Sequence, residues 1–600
     1  MHIAAIYIPK NSFPHIFGIN HEEITINLGG FNLYKISNFE IIHVESNNHF
    51  IDDLVSDQVR LFSCFVGANG GGKTTLLQFI TSGFFHGILE QGPNDYTFTN
   101  DFKQIHRVYY TPYLRNGLID AVGNNGKDLS KFAMMTSDNH EDRGGFTDFM
   151  TAHESENSKR WIKFNSFYKG LDLKNVRLPH FEKVELSLRH LPINRVSQKD
   201  FHDTPYQIQE AIGLLFEKFE KERKDQETEQ GQLLQNTKKD QRNWHFPRRF
   251  EFDLYETAIG KLASVFEKLD GHYLDKSFVP EDFESKILEM SSREAIAYFL
   301  ISCGLIMGKG IKYSFDRHLV LLELLDTLVS IADESKFTDN WRKIHISEEE
   351  CLTIIELYDK FNTSFLNAPF HFDSRPMFNF LPTAQVSSGE QQFLNMFSTL
   401  YYHSTNIQDK IDLDTHSSDS LAFFGEKVIL LLDEGDNAFH PQWKKQYVHH
   451  LRAIIPAIFP RNQIQIVITS HDPLTLSDIP KNNAIFLEKG PDGTRVSDSS
   501  KKHTFGGNLS DLLKDSFFLQ DDQIGSHAAQ VIDQIIKDIR RKQLTDERIQ
   551  QIQRLIDTID EPIVKFKLAE MLSEATGDNQ YERSLIDKEI SRLQERKNEL

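Results

Sequence analysis

A short apolar run, Leu61–Val66, ends at Gly67-Ala68-Asn69-Gly70-Gly71-Gly72-Lys73-Thr74, and helical apolar spacing at Leu76, Leu77, Phe79 and Ile80 follows. No other stretch restricts the fold as tightly. A strand must pass through a loop made mostly of glycine into a helix whose first residue is lysine. Glycines let the backbone wrap closely enough for successive N–H groups to face one anion. The positive end of the helix favours the same anion. Lys73 adds a point charge for β and γ phosphates, and the Thr74 hydroxyl is a ligand for Mg²⁺, with Thr75 next in the same turn. The pattern G-x-x-x-x-G-K-[ST] in strand–loop–helix context predicts a nucleoside triphosphate site.

Val428–Leu432 and Ile464–Thr469 are continuous apolar runs, as expected of parallel strands buried on both faces. The first delivers Asp433-Glu434 at its carboxyl end, the edge where open parallel sheets bind ligands. Two adjacent acids can divide the work there: Asp433 holds the Mg²⁺ shell, and Glu434 orients and deprotonates the attacking water. The second run enters Ser470-His471-Asp472, placing His471 within reach of a γ-phosphate. Ser387-Ser388-Gly389-Glu390-Gln391-Gln392 opens a helix between the glycine loop and the acidic pair; by itself it reads as a serine N-cap followed by glutamate.

The chain has 600 residues, long enough for more than one folding unit. Lys and Arg number 67 against 87 Asp and Glu, a net charge of −20, which argues against indiscriminate coating of nucleic acid. Three distant cysteines exclude a disulfide framework, and neither a leader peptide nor a membrane span is expected, so a reducing cytoplasm is the natural setting. Residues 1–66 read as short strands. Helices are expected over Ile208–Lys221, Leu254–Leu269, Ser292–Leu305, Asp316–Ala332 and Glu348–Phe365, with a solvated loop or arm tip at 221–243 and a surface loop at 403–420. Lys238, Lys239, Arg242, Arg248 and Arg249, interleaved with Trp244, Phe246 and Phe250, combine phosphate-seeking charge with stackable rings, although a solvated face beside core aromatics is the simpler reading. Ile586, Ile590, Leu593 and Leu600 form an apolar stripe on a charged terminal helix, a candidate docking element.

With these motifs in this order, the chain resembles the ATP-binding-cassette ATPase heads, in particular the RecF/SMC/overcoming-lysogenization branch. The resemblance implies an α/β fold: an ABC-type P-loop ATPase head with an antiparallel β subdomain, a large, mainly helical insertion and a helical C-terminal region. The expected division is a split head over 1–100 and 375–500, the insertion over 101–374 and a partner-docking or assembly region over 501–600. In that family Ser387, Ser388, Gly389 and Glu390 would cap a nucleotide held by another copy, which implies a homodimer or higher homo-oligomer enclosing ATP and Mg²⁺. Val386 stands where the family usually has leucine.

The segments Asp433–Trp443 and Phe505–Phe518 resemble those of the PtuA family, the ATPases of Septu and retron-Septu antiphage systems. That resemblance implies an HNH nuclease partner of the PtuB kind and, in retrons, a reverse transcriptase with its RNA–DNA product; no membrane is involved. The tail lacks the acids on strands of a Toprim nuclease, and Asp412-Leu413-Asp414 reads as a solvated loop, so no nuclease centre is expected in this chain. The alternatives are a RecF/SMC-like DNA repair or recombination ATPase and a scaffold that holds ATP as a structural ligand. Glu434 and His471 argue against the scaffold.

Overall fold

The computed structural model describes the chain except residues 49, 51–57, 114–124, 131–145, 172–178, 190–204, 234–237, 269–272, 308–310, 365–375, 384–385, 414–426, 438, 500–501, 514–525, 542–543 and 600. It divides into two compact units, Met1–Leu512 and Leu513–Leu600.

The first unit is built on a seven-stranded sheet in the order Gly493–Ser497, Ala484–Gly490, Val59–Gly67, Gln463–Ser470, Lys427–Asp433, Ile105–Tyr110, Gly126–Asp128. All neighbours run parallel except the edge strand Gly493–Ser497. Leu430, Leu431, Leu432, Val467, Ile468, Phe65 and Val66 are wholly buried, which explains why these strands are apolar on both faces. The helix Lys73–Ser82 packs Leu76, Leu77 and Ile80 into one core with Leu61, Phe65, Leu431 and Val467. The antiparallel component is a four-stranded sheet, Ile24–Asn27, His2–Ile8, His86–Gly92, Asp95–Thr99, beside the hairpin Asn32–Ser37/Glu40–Ser46.

The strand pairing shifts both edges expected for the insertion. Ile105–Tyr110 and Gly126–Asp128 lie beyond residue 100, yet they hydrogen-bond into the head's sheet. His106 and Arg107 interrupt the apolar pattern and mask the strand. Both are buried, and the Arg107 guanidinium donates to Thr81 O at 3.1 Å and to Phe102 O and Ile105 O at 3.0 Å, so it caps the C-terminus of the Lys73 helix. At the other edge, Phe378–Pro382 pairs with Lys183–Leu188 and goes with the insertion.

The insertion carries strands as well as helices, in two three-stranded sheets: Lys343–Ser347, Lys183–Leu188, Phe378–Pro382, and Tyr273–Phe278, Gly304–Met307, Ile311–Ser314. Leu186, Phe219, Phe250, Leu262, Phe299, Leu325, Tyr358 and Phe378 share its core. The polar stretch expected as a solvated loop or arm tip at 221–243 continues two helices, Tyr206–Leu233 and Lys238–Lys268, outside 234–237. Lys, Glu, Gln and Arg are strong helix formers, and pairs such as Lys224–Glu220 (2.9 Å) support a helix without an apolar face. The helix Ser388–Leu413 likewise runs into the polar stretch expected as a loop from residue 403. It packs on Phe146–Lys169 of the insertion: Phe167 and Tyr401 stack at 4.4 Å, and Asn157 Nδ2 and Trp161 Nε1 donate to Asn395 Oδ1 at 2.6 and 2.8 Å.

The second unit is helical: Ser526–Arg540, Asp546–Asp557, Pro562–Thr576 and Gln580–Glu599, around Ile535, Ile552, Ile556, Leu568, Leu572 and Leu585. Ile586, Ile590 and Leu593 are exposed on the last helix, and Leu600 lies outside the described residues. Among the described residues no helix is long and apolar enough to cross a membrane.

Candidate nucleotide site

The strand order brings the three motifs to one edge. Gln463–Ser470 lies between the glycine-loop strand and the acidic strand, with Asp433 opposite Thr469 and Thr469 opposite Phe65. The loop, the acids and the histidine therefore emerge side by side.

Two glycines are required, Gly67 by space and Gly72 by space and torsion. A Cβ on Gly67 would stand 2.4 Å from Leu487 O, and one on Gly72, at φ +91°, would stand 2.6 Å from Ile16 Cγ2. Ala68, Asn69 and Gly70 are exposed, Gly71 is buried, and Thr74 and Thr75 are partly buried at the first helical turn. Lys73 is buried, and its ammonium donates to Gly67 O at 2.9 Å and Ala68 O at 3.2 Å. Burial holds its pKa below the ordinary lysine value, while the charges of Glu434 and Asp433 act in the opposite direction. A desolvated cation with only carbonyl partners, at a helix start, fits a polyphosphate.

Asp433 is buried with both oxygens engaged: Oδ1 accepts from Thr469 Oγ1 at 2.7 Å and Oδ2 from Tyr109 OH at 2.8 Å. Each oxygen keeps a further lone pair beside its hydroxyl donor, which suits a ligand of Mg²⁺ shared with Thr74. Glu434 has φ 51°, a left-handed conformation uncommon outside glycine, and its N–H donates to Thr469 Oγ1 at 2.8 Å. His471 Nε2 stands 3.2 Å from Glu434 Oε1. The hydrogen bond from His471 is the largest influence on the Glu434 pKa, holding it below the usual value against burial; Tyr113 and Lys73 add to it. The Tyr113 phenol is pushed up to about 12, by burial first and then by the Glu434 charge.

Asp436 is buried beneath this turn, accepting from Ser470 Oγ and from Thr475 Oγ1 at 2.7 Å, and burial raises its pKa. Asp472 binds Lys444 at 2.8 Å. Thr469, Tyr109, Tyr113 and Asp436 were not evident from the sequence. Three are anonymous members of apolar or turn segments, and only Asp436, two residues past Glu434, stood in a quoted motif.

Ser387 and Ser388 are exposed at the start of Ser388–Leu413, with Gly389 and Glu390 partly buried. Ser387 N–H donates to Glu390 Oε2 at 2.8 Å and Glu390 N–H to Ser387 Oγ at 3.4 Å, a reciprocal cap. Two members of the basic patch have described side chains, and both face acids. Arg248 pairs with Glu251 at 2.7 Å, and Arg249 reaches Glu227 at 3.4 Å and lies over the Trp341 ring. Phe250 is wholly buried against Phe337, so it cannot stack on a base. The side chains of Lys238, Lys239, Arg242 and Trp244 lie outside the described residues. Phe250→Ala is expected to destabilise the protein by about 3–5 kcal/mol, measured by chemical denaturation.

Compared with known families, residues 62–477 match the one described as "AAA domain, putative AbiEii toxin, Type IV TA system". The matched span begins in the glycine-loop strand and ends past His471, so it covers every element of the site and well over half of the chain. The protein therefore belongs to this family of AAA-type P-loop ATPases.

Proposed function

We propose that the protein is a Mg²⁺-dependent ATPase of the ABC type that closes as a two-fold pair around two ATP molecules and controls a partner nuclease in antiphage defence. The single observation that carries the hydrolytic part is the acidic turn, where His471 and Tyr113 hold the left-handed Glu434 ionised at the same sheet edge as buried Lys73. Lys73 and the loop amides of Gly67–Gly72 bind the phosphates. Thr74 and Asp433 hold the metal, which when bound supplies charge neutralisation at the β and γ oxygens. Glu434 orients the attacking water and accepts its proton, and His471 contacts the γ-phosphate.

Exposure of Ser387 and Ser388 at a helix start supports pairing, because such an end can cap a phosphate held by a second copy. The family description joins an ATPase domain to a toxin–antitoxin role, which supports a part in cellular conflict. The PtuA-like segments favour an HNH nuclease as the effector, with the reverse transcriptase and its RNA–DNA product where the system is a retron. Under this reading cutting belongs to the partner, and the Leu513–Leu600 unit serves docking or assembly.

Expression with the neighbouring genes followed by phage challenge tests the proposal. Protection should be lost in Lys73→Ala and in Glu434→Gln; protection that survives both substitutions removes the defence role. DNA-stimulated turnover without any nuclease partner would favour the repair-type alternative.

A further inference from the structure

Asp433 and Glu434 are neighbours in sequence but have different tasks, so each has to be aimed separately. One side chain on the adjoining strand touches both. The Thr469 hydroxyl donates to Asp433 Oδ1 at 2.7 Å and accepts the Glu434 backbone N–H at 2.8 Å. Thr469 is wholly buried and lies directly opposite Asp433 in the strand register. A hydroxyl has one hydrogen and two lone pairs, so the two bonds are compatible, and the hydrogen is directed at the carboxylate.

The Glu434 end is the conformationally demanding one. A left-handed torsion on a non-glycine residue persists only where its surroundings hold it, and the bond from Glu434 N–H to Thr469 is one such restraint. The residues after Thr469 fasten the same turn: Ser470 donates to Asp436, and His471 reaches the Glu434 carboxylate. Tyr109 takes the second oxygen of Asp433 from the opposite side, at 2.8 Å. Among the described residues, Thr469 is the one whose side chain joins the carboxylate of one acid to the backbone of the other.

We propose that Thr469 is a positioning residue whose single hydroxyl sets the metal-holding Asp433 and the water-orienting Glu434 together, so that metal binding and water activation are coupled through one hydroxyl that donates to the first and accepts from the second. The proposal rests on the reading of the site as a Mg²⁺-dependent ATPase and assigns a further residue to it. A merely structural threonine would contribute to folding and leave the metal requirement alone.

The test compares Thr469→Val, Thr469→Ala and Thr469→Ser in the full chain. Three quantities are measured: ATP affinity in EDTA, the Mg²⁺ concentration for half-maximal turnover, and turnover at saturating Mg²⁺. Valine and alanine, which lack the hydroxyl, should leave metal-free ATP affinity unchanged. Both should raise the Mg²⁺ requirement and lower saturated turnover, each by about 10–100-fold, as for other groups that orient a metal ligand. Serine should restore both.

Wild-type turnover and Mg²⁺ requirement in the valine or alanine variant overturns the proposal. Lost turnover with an unchanged Mg²⁺ requirement, or a defect that serine fails to restore, makes Thr469 a packing residue and overturns it as well. Should valine prevent folding, alanine and serine carry the same comparison. Failure of the underlying reading looks different: Glu434→Gln would then hydrolyse ATP at the wild-type rate.

Discussion

Glu434→Gln is expected to slow ATP turnover by about 10²–10⁴-fold, the usual contribution of a positioned general base, while ATP stays bound and the paired form accumulates. Glutamine keeps an oxygen for His471 at the same place and removes only the charge that accepts a proton from water. Single-turnover hydrolysis, nucleotide titration and light scattering with Mg²⁺-ATP measure the three effects. A fall in ATP affinity as deep as that of a Lys73 variant would contradict the role.

The pH profile follows from the same contact. Because His471 lowers the Glu434 pKa, the carboxylate stays ionised to a pH below the ordinary glutamate range. Turnover is therefore full above that point and declines as pH falls through it, since a protonated Glu434 cannot accept the water proton. In His471→Ala the largest of these influences is gone, and the acid limb of the profile should move upward toward the ordinary value.

Lys73→Met is expected to weaken ATP binding by roughly 10- to 150-fold, from the loss of hydrogen bonds donated by a charged group. The apoprotein should not lose stability with it. Lys73 is buried, among the described residues its ammonium bonds to carbonyl oxygens and to no anion, and burial already lowers its pKa, so the cation is desolvated there. Methionine fills the same space without that cost. Calorimetric titration should show the binding loss, and thermal melting without nucleotide should show a midpoint equal to or above that of the unsubstituted protein. A lowered midpoint would mean that the ammonium stabilises the empty loop.

The sheet edge was legible in the sequence because parallel strands buried on both faces are written as unbroken apolar runs. Leu61–Val66, Val428–Leu432 and Ile464–Thr469 each lead straight into a polar motif. Ile105–Tyr110 obeys the same physics but hides it, since His106 and Arg107 are buried polar residues and Arg107 finds its partners in the backbone carbonyls of Thr81, Phe102 and Ile105. The polar ends of two helices, 221–233 and 238–243, failed to read as helix for the opposite reason: these ends carry no apolar spacing, and low hydropathy resembles a loop when periodicity is the signal. The acids were visible as a pair, but their conformation was not. The torsion at Glu434 depends on Thr469, a residue that in sequence is only one more β-branched member of a strand.

The interlock of Ser388–Leu413 with Phe146–Lys169 has a mechanical consequence. The stacked Phe167 and Tyr401 rings, and Asn395 shared by Asn157 and Trp161, make the two helices a stiff couple. Under the proposed pairing, a movement of Ser387 toward a phosphate would be passed through these contacts to Phe146–Lys169, so the insertion would feel the state of the nucleotide as a mechanical load.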